Sequence, residues 1–320
     1  MASGPAPPDS PVATGEVPGG SSFQRRVERA LLGPNGIRAG WRLLIAFALL
    51  VAFGYLVRAG MSHIPSYERW RQAQPKGVFS PGALILSEAI PVLLVILVAF
   101  VMTFIEKRSF ADYGLPGNSA FAKRFWQGMP YGFAMLTVLM ALIALFHGFS
   151  LGGWALGRSE AVRDGLLYLV AFVLVGIFEE FIFRGYLQST LASGVGFWPA
   201  AILLAILFGY LHLGNPGESR VGAFSAGSFG LLAAFALWRT GNLWFPISMH
   251  AAWDWGQTFF YSVPDSGGVA QGHLLNSFFH GPNWLTGGSV GPEGSLFVFV
   301  ALGLGAIGIH FLFPAKQKSV

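Results

Sequence analysis

Three short clusters place ionisable side chains where the sequence is otherwise apolar. LLYLVAFVLVGIFEEFIFRGYLQ holds Glu179, Glu180 and Arg184; FGYLH holds Phe208 and His212; HAAWD holds His250 and Asp254. A charge at the centre of a bilayer costs about 2.5–3.5 kcal/mol on insertion scales, so such residues mark function unless they pair. Glu180 and Arg184 stand at i and i+4, on one helical face with the acid on the N-terminal side. Glu179 points about 100° away around the helix. The spacing thus predicts a neutralised pair that supports the structure, Glu180 with Arg184, and one unpaired carboxylate, Glu179, suited to take a proton. A glutamate and a histidine can share a water and activate it, while a second histidine and an acid can hold a developing oxyanion. Glu179, His212 and His250 are equally the candidates for a two-histidine, one-carboxylate site for a divalent metal such as zinc. Spacing does not choose between the two, although the helical HExxH zinc signature is absent. A histidine alone in an apolar helix is more often a satisfied core residue. Two histidines and a glutamate on three separate apolar segments are accommodated most simply by one shared wet cavity.

The elements that must position these residues are membrane helices. Hydrophobic residues make up 53% of the 320 and charged ones 11%, with a mean hydropathy of +0.57. A soluble domain carries about a quarter charged residues, so this chain cannot coat a water-facing surface in the usual way. The fold expected is all-α, a polytopic bundle of about eight spans at 41–59, 82–105, 130–149, 165–191, 197–213, 222–239, 242–262 and 294–314. There is no cysteine, which excludes disulfides, thiolate metal sites and a cysteine nucleophile. The net charge of +5 is carried by bases that flank the apolar runs, a topogenic signal and not a nucleic-acid footprint.

With the N-terminus inside, twelve Lys and Arg fall on inner segments and seven on outer ones, so both termini are expected in the cytoplasm. Residues 1–24, rich in Pro, Gly and Ser, read as a disordered tail. The membrane domain then spans 25–314, with its motif-bearing core at about 160–262, and 315–320 form a cytoplasmic tail. Segment 107–129 mixes bases with aromatics, as either an amphipathic surface segment or an ordinary inner loop would. The Gly-rich segment 263–293 reads as a flexible outer loop, Glu88 as a partner for backbone freed at Pro91, and His147 and His310 as interfacial.

EEFIFR, FGYLH and HAAWD match in order the EExxxR, FxxxH and HxxxN/D motifs of the CPBP family of intramembrane metalloproteases, the CAAX prenyl protease and bacteriocin-processing (Abi-type) group. The resemblance covers about 160–262, and residues 281–296 also resemble the tail of many bacterial members. It implies an intramembrane endopeptidase in a bacterial cell membrane, cleaving a peptide or protein substrate there. By resemblance, Glu179 and His212 activate water, His250 and Asp254 bind the oxyanion, and Glu180, Arg184 and Phe208 support them. Asp254 stands where the prenyl-protein proteases have Asn. An ionised Asp repels an oxyanion, so here it must be protonated, orient His250 or bind a metal. The competing readings are a non-catalytic scaffold or immunity protein of the same fold and a proton-coupled transporter.

Overall fold

The computed structural model describes residues 22–33, 36–74 and 77–314, and the expected tails up to residue 21 and from 315 lie outside them. The described residues up to Arg38 belong to a unit of their own. It consists of α1 (Ser22–Leu31), which begins inside the last residues of the expected tail, and a small antiparallel pairing of β1 (Leu32–Gly33) with β2 (Gly36–Ile37).

From Ala39 onward the chain is an all-α bundle, and every apolar run read from the sequence is helical. The helices are α2 (Ala39–Ser62), α3 (Pro65–Ala73), α4 (Pro81–Glu106), α5 (Lys123–Leu145), α6 (Arg158–Glu180), α7 (Gln188–Val195), α8 (Phe197–His212), α9 (Arg220–Thr240), α10 (Trp244–Trp255), the short α11 (Asn283–Thr286) and α12 (Val298–Leu312). α6 runs into α7 through π-helical residues Phe181–Leu187, and α10 continues in the same form over Gly256–Phe260. Among the described residues five helices are long and apolar enough to cross a membrane: α2, α4, α5, the run Arg158–Val195, and α9. α8 and α12 are apolar but shorter. The 16 residues of α8 rise about 24 Å, less than the roughly 30 Å hydrocarbon core.

Local sequence sets the helix ends. Ser80 accepts a hydrogen bond from the Ala83 amide at 3.4 Å and precedes Pro81, so α4 starts with both a cap and a fixed φ. Ser219 caps α9 through the Gly222 amide at 2.9 Å, and Gly241 ends it in the left-handed conformation.

Glycines let the central helices touch. A Cβ on Gly132 of α5 would sit 1.9 Å from the Met249 carbonyl oxygen, and one on Gly176 of α6 would sit 2.6 Å from that of Ile247. Both contacts grip α10, whose residues Trp244 to Asp254 are all buried. Small residues at helix crossings supply the close van der Waals contact on which membrane helices depend, since lipid is as apolar as their side chains. His250 and Asp254 therefore face protein, not lipid. α2 lies at the opposite extreme, with only Arg42 and Ala46 buried.

Of two connecting segments, the sequence leaves one with two alternatives and reads the other as a flexible loop. Segment 107–129 is no surface-lying helix. It forms 3₁₀ turns at Phe110–Tyr113 and Gly117–Ser119 before α5 begins, with Tyr113 buried and Phe110 stacked on Phe181 at 5.8 Å. Tyr113 and Phe125 enter the bundle, while Phe121 and Trp126 stay exposed.

Segment 263–293 is not a loose loop but folds over one end of the bundle. β5 (Val269–Ala270) pairs in parallel with β3 (Val78–Phe79), and β6 (Phe278–Phe279) pairs antiparallel with β4 (Phe149–Ser150). The Tyr168 hydroxyl of α6 donates to the carbonyls of Phe79 (3.1 Å) and Gln271 (2.5 Å), pinning both segments. Leu274, Leu285 and Val290 of the segment are themselves buried. Glycine makes this folding possible: Gly267 and Gly291 have φ of +81° and +97°, and each sits where a Cβ would strike a backbone oxygen at 1.9 Å.

Candidate active site

Arg184, in the π-helical stretch after α6, is the anchor of the site. Its guanidinium donates to Glu180 Oε1 and to the Gly230 carbonyl, both at 3.2 Å, and lies over the Phe208 ring at 4.3 Å. Both side chains of the Arg184–Glu180 ion pair are almost wholly buried, at 2% and 0% exposure. Phe208 packs edge-on against Phe183 at 5.0 Å. The Phe of FxxxH thus serves the arginine of EExxxR, joining α8 to α6. Gly230 of α9 is needed for the approach, since a Cβ there would lie 2.0 Å from Arg184 Nη2.

Glu180 has a second task that spacing along one helix could not reveal. Its Oε1 also accepts from His250 Nδ1 at 2.9 Å. A carboxylate on one imidazole nitrogen fixes the ring's tautomer and leaves the other nitrogen for chemistry. Nε2 of His250 accordingly faces Asp254 Oδ2 at 3.5 Å and Glu179 Oε2 at 3.8 Å, with the Phe229 ring tilted against the imidazole at 4.9 Å. Glu179 meets His250 only beyond hydrogen-bond length and keeps 25% of its side chain exposed. His212 donates from Nδ1 to the Phe208 carbonyl at 2.8 Å, which likewise turns Nε2 away from its own helix.

Glu179, His212, His250 and Asp254 all line one cavity of about 340 Å³, and Phe208 forms part of its wall. The structure brings together the four residues singled out in the sequence, one from each of α6 and α8 and two from α10. Glu180 and Arg184 stand behind them.

Three carboxylates outside the residues singled out from the sequence share the cavity. Glu88 of α4 lines it instead of serving the backbone near Pro91. Its presence in a 26-residue apolar helix was a signal of the same kind as Glu179, and the nearby proline obscured it. Asp265 and Glu293 enter from the 263–293 segment, where an acid in a Gly-rich stretch carries no such signal. Glu293 Oε2 accepts from the Ser266 amide (3.1 Å) and hydroxyl (2.9 Å), and Asp265 Oδ2 accepts from Thr258 at 2.8 Å. Burial, reinforced by the charges of Asp254 and Glu293, pushes the Asp265 carboxyl well above the usual range.

Among the described residues, one group of three acidic or histidine ligand atoms meets within 4.8 Å: Asp254, Asp265 and Glu293. An all-oxygen set of this kind suits a hard cation or shared protons better than zinc. Among the described residues, Glu179, His212 and His250 form no such group.

Residues 161–256 match the family model described as Rce1-like, type II CAAX prenyl endopeptidase. The matched stretch holds all three motifs, from Glu179 to Asp254, and bears out the resemblance read from them. No curated protein and no solved structure matches the chain.

Proposed function

From the match of residues 161–256 to the Rce1-like CAAX prenyl endopeptidase model, we propose that this membrane protein hydrolyses a peptide bond with Glu179 as general base. The observation that carries the reading is the division of labour between adjacent glutamates. Glu180 is committed to Arg184 and His250, whereas Glu179 faces the cavity with no hydrogen bond to either. Glu179 takes a proton from a water shared with His212 Nε2, and the water oxygen attacks the peptide carbonyl carbon. His250, protonated on both nitrogens, holds Glu180 through Nδ1–H and offers Nε2–H to the oxyanion. Asp254, 3.5 Å from that nitrogen, balances the imidazolium charge without itself binding the oxyanion. As the C–N bond breaks, Glu179 returns its proton to the leaving amine.

The test is cleavage of a quenched-fluorescent peptide library by purified protein, with and without chelator. General-base contributions are typically 10²–10⁴-fold, so Glu179→Gln and His212→Ala should each lose about that much turnover while unfolding like the wild type. Because both act on one water, the double variant should be little worse than either single. Near-normal cleavage by Glu179→Gln would remove the general-base role. A wild type that cleaves no member of the library would favour the scaffold reading.

A further inference from the structure

We infer that a second pocket, between α2, α3 and α4, holds one anionic phospholipid, with its phosphodiester on Arg58 and an acyl chain between α2 and α4. The pocket encloses about 250 Å³ and shares no residue with the active-site cavity. Its lining follows helical spacing. α2 contributes Gly54, Val57, Arg58, Met61 and Ser62, which stand at i, i+3, i+4, i+7 and i+8 and so form one face. α4 contributes Ile90 and Leu94, one turn apart, and α3 contributes Tyr67, Glu68 and Arg71. Polarity changes along this pocket as it does along a lipid. At 1.5 Å per residue Arg58 lies about 6 Å from the end of α2 and Gly54 about 12 Å, while Ile90 and Leu94 lie about 14 and 20 Å into α4. The 24 residues of α2 rise about 36 Å, more than the roughly 30 Å hydrocarbon core. Gly54, Ile90 and Leu94 are therefore at the depth of acyl chains, and Arg58 is where a long basic side chain reaches the headgroups. Tyr67 and Trp70, with rings 5.7 Å apart on α3, mark the same boundary.

Hydrogen bonding leaves the pocket with a positive charge. Glu68, the one carboxylate in its lining, accepts from Arg71 Nε at 3.1 Å and Nη2 at 2.5 Å, and from Gln72 Nε2 at 3.0 Å. Those bonds, Arg71 first, hold its carboxyl well below the usual carboxylate range, so Glu68 is ionised and committed within α3. Arg58 makes no hydrogen bond or ion pair with any described residue. One guanidinium without a counter-ion matches the single charge of a phosphodiester, and its planar fork suits phosphate oxygens. A soluble anion would satisfy Arg58 but leave Val57, Ile90 and Leu94 facing an empty apolar space. An acyl chain fills that space. Gly54 widens it, since a Cβ there would meet nothing within 4 Å.

Native mass spectrometry of the purified full-length protein in detergent, titrated with phosphatidylglycerol or phosphatidylcholine, resolves each bound lipid. The expected result is one phosphatidylglycerol bound in preference to phosphatidylcholine. Arg58→Gln should weaken that first adduct about fivefold, the worth of one arginine near an anionic headgroup, and abolish the preference. Gly54→Leu should weaken it as well, by filling the apolar half while Arg58 stays in place. Arg69→Gln, at an exposed base of α3 outside the pocket, should change nothing. Equal adducts of the two lipids, a preference that survives in Arg58→Gln, or one lost equally in Arg69→Gln would overturn the inference. Excess glycerophosphoglycerol, the same headgroup without chains, should leave the lipid adduct intact. Displacement of the lipid by that headgroup, or an unchanged adduct in Gly54→Leu, would assign the pocket to a soluble phosphodiester and overturn the lipid. The titration involves no cleavage, so its failure and that of the peptidase reading are distinguishable.

Discussion

Replacing Arg184 by methionine keeps most of the side chain's volume and removes its charge. Glu180 would then be a carboxylate with no exposed surface, retaining His250 Nδ1 at 2.9 Å but no arginine, and its Oε2 has no partner even in the native arrangement. Breaking a buried pair by removing one partner typically costs about 3–5 kcal/mol, because the remaining charge stays buried. Loss of the hydrogen bond to the Gly230 carbonyl adds roughly 1 kcal/mol, and loss of the face-on contact with Phe208 adds a further ~1 kcal/mol. The sum sits at the upper end of what single substitutions do.

Glu180→Gln in the same background removes the stranded charge yet keeps an oxygen for His250 Nδ1–H. The double variant should therefore recover much of the loss, with a coupling of about 1–3 kcal/mol. Reversible unfolding in mixed micelles, followed by tryptophan fluorescence, measures both. An Arg184→Met protein as stable as wild type would refute the reasoning. So would a double variant whose losses simply add, since the charge left on Glu180 is the claimed source of the cost.

The helix contacts and the carboxylate cluster give two further expectations. Gly132→Ala sets a Cβ 1.9 Å from a backbone oxygen of α10, an atom that cannot swing aside, so α5 and α10 must separate; a loss of about 1–3 kcal/mol in the same unfolding assay is expected. For Asp265, burial favours the protonated carboxyl in the folded protein, so the folded state binds more protons than the unfolded one. Stability then falls as pH rises from about 4 towards the raised folded value. Asp265→Asn should match wild type near pH 4 and exceed it increasingly on going to pH 8, as read from unfolding midpoints across that range.

The bundle was legible because the price of exposing a backbone in lipid forces long apolar runs into helices, and all eight runs read from the sequence are helical. The ends of the helices were less so. The expected fourth span at 165–191 is one part of a 38-residue run, extended at its start by residues 158–164, whose polarity hides their helicity, and at its end by the short stretch 192–195. Segment 263–293 was misread for a physical reason. Glycine content reports freedom in the unfolded chain, but Gly267 and Gly291 are used here for positive φ and for close backbone approach, which order the segment. Composition cannot distinguish those two uses.

The site divides along the same line. Pairing within a helix follows from 3.6 residues per turn, so Glu180 with Arg184 could be read directly, and the isolation of Glu179 with it. Pairing between helices depends on which turn of α10 is pressed against α6, and that is set by Gly176 meeting the Ile247 carbonyl. That contact brings His250 to Glu180 across 70 positions of sequence. It also changes what the second glutamate of EExxxR means. A residue read as merely neutralising an arginine also fixes the ring that faces the cavity, so Arg184 acts on His250 through one shared oxygen, Oε1. The charge that stabilises the helix crossing and the orientation of the candidate catalytic imidazole are then settled by a single carboxylate. This gives a physical reason for two adjacent glutamates in one apolar helix: one must be bound so that the other can remain free.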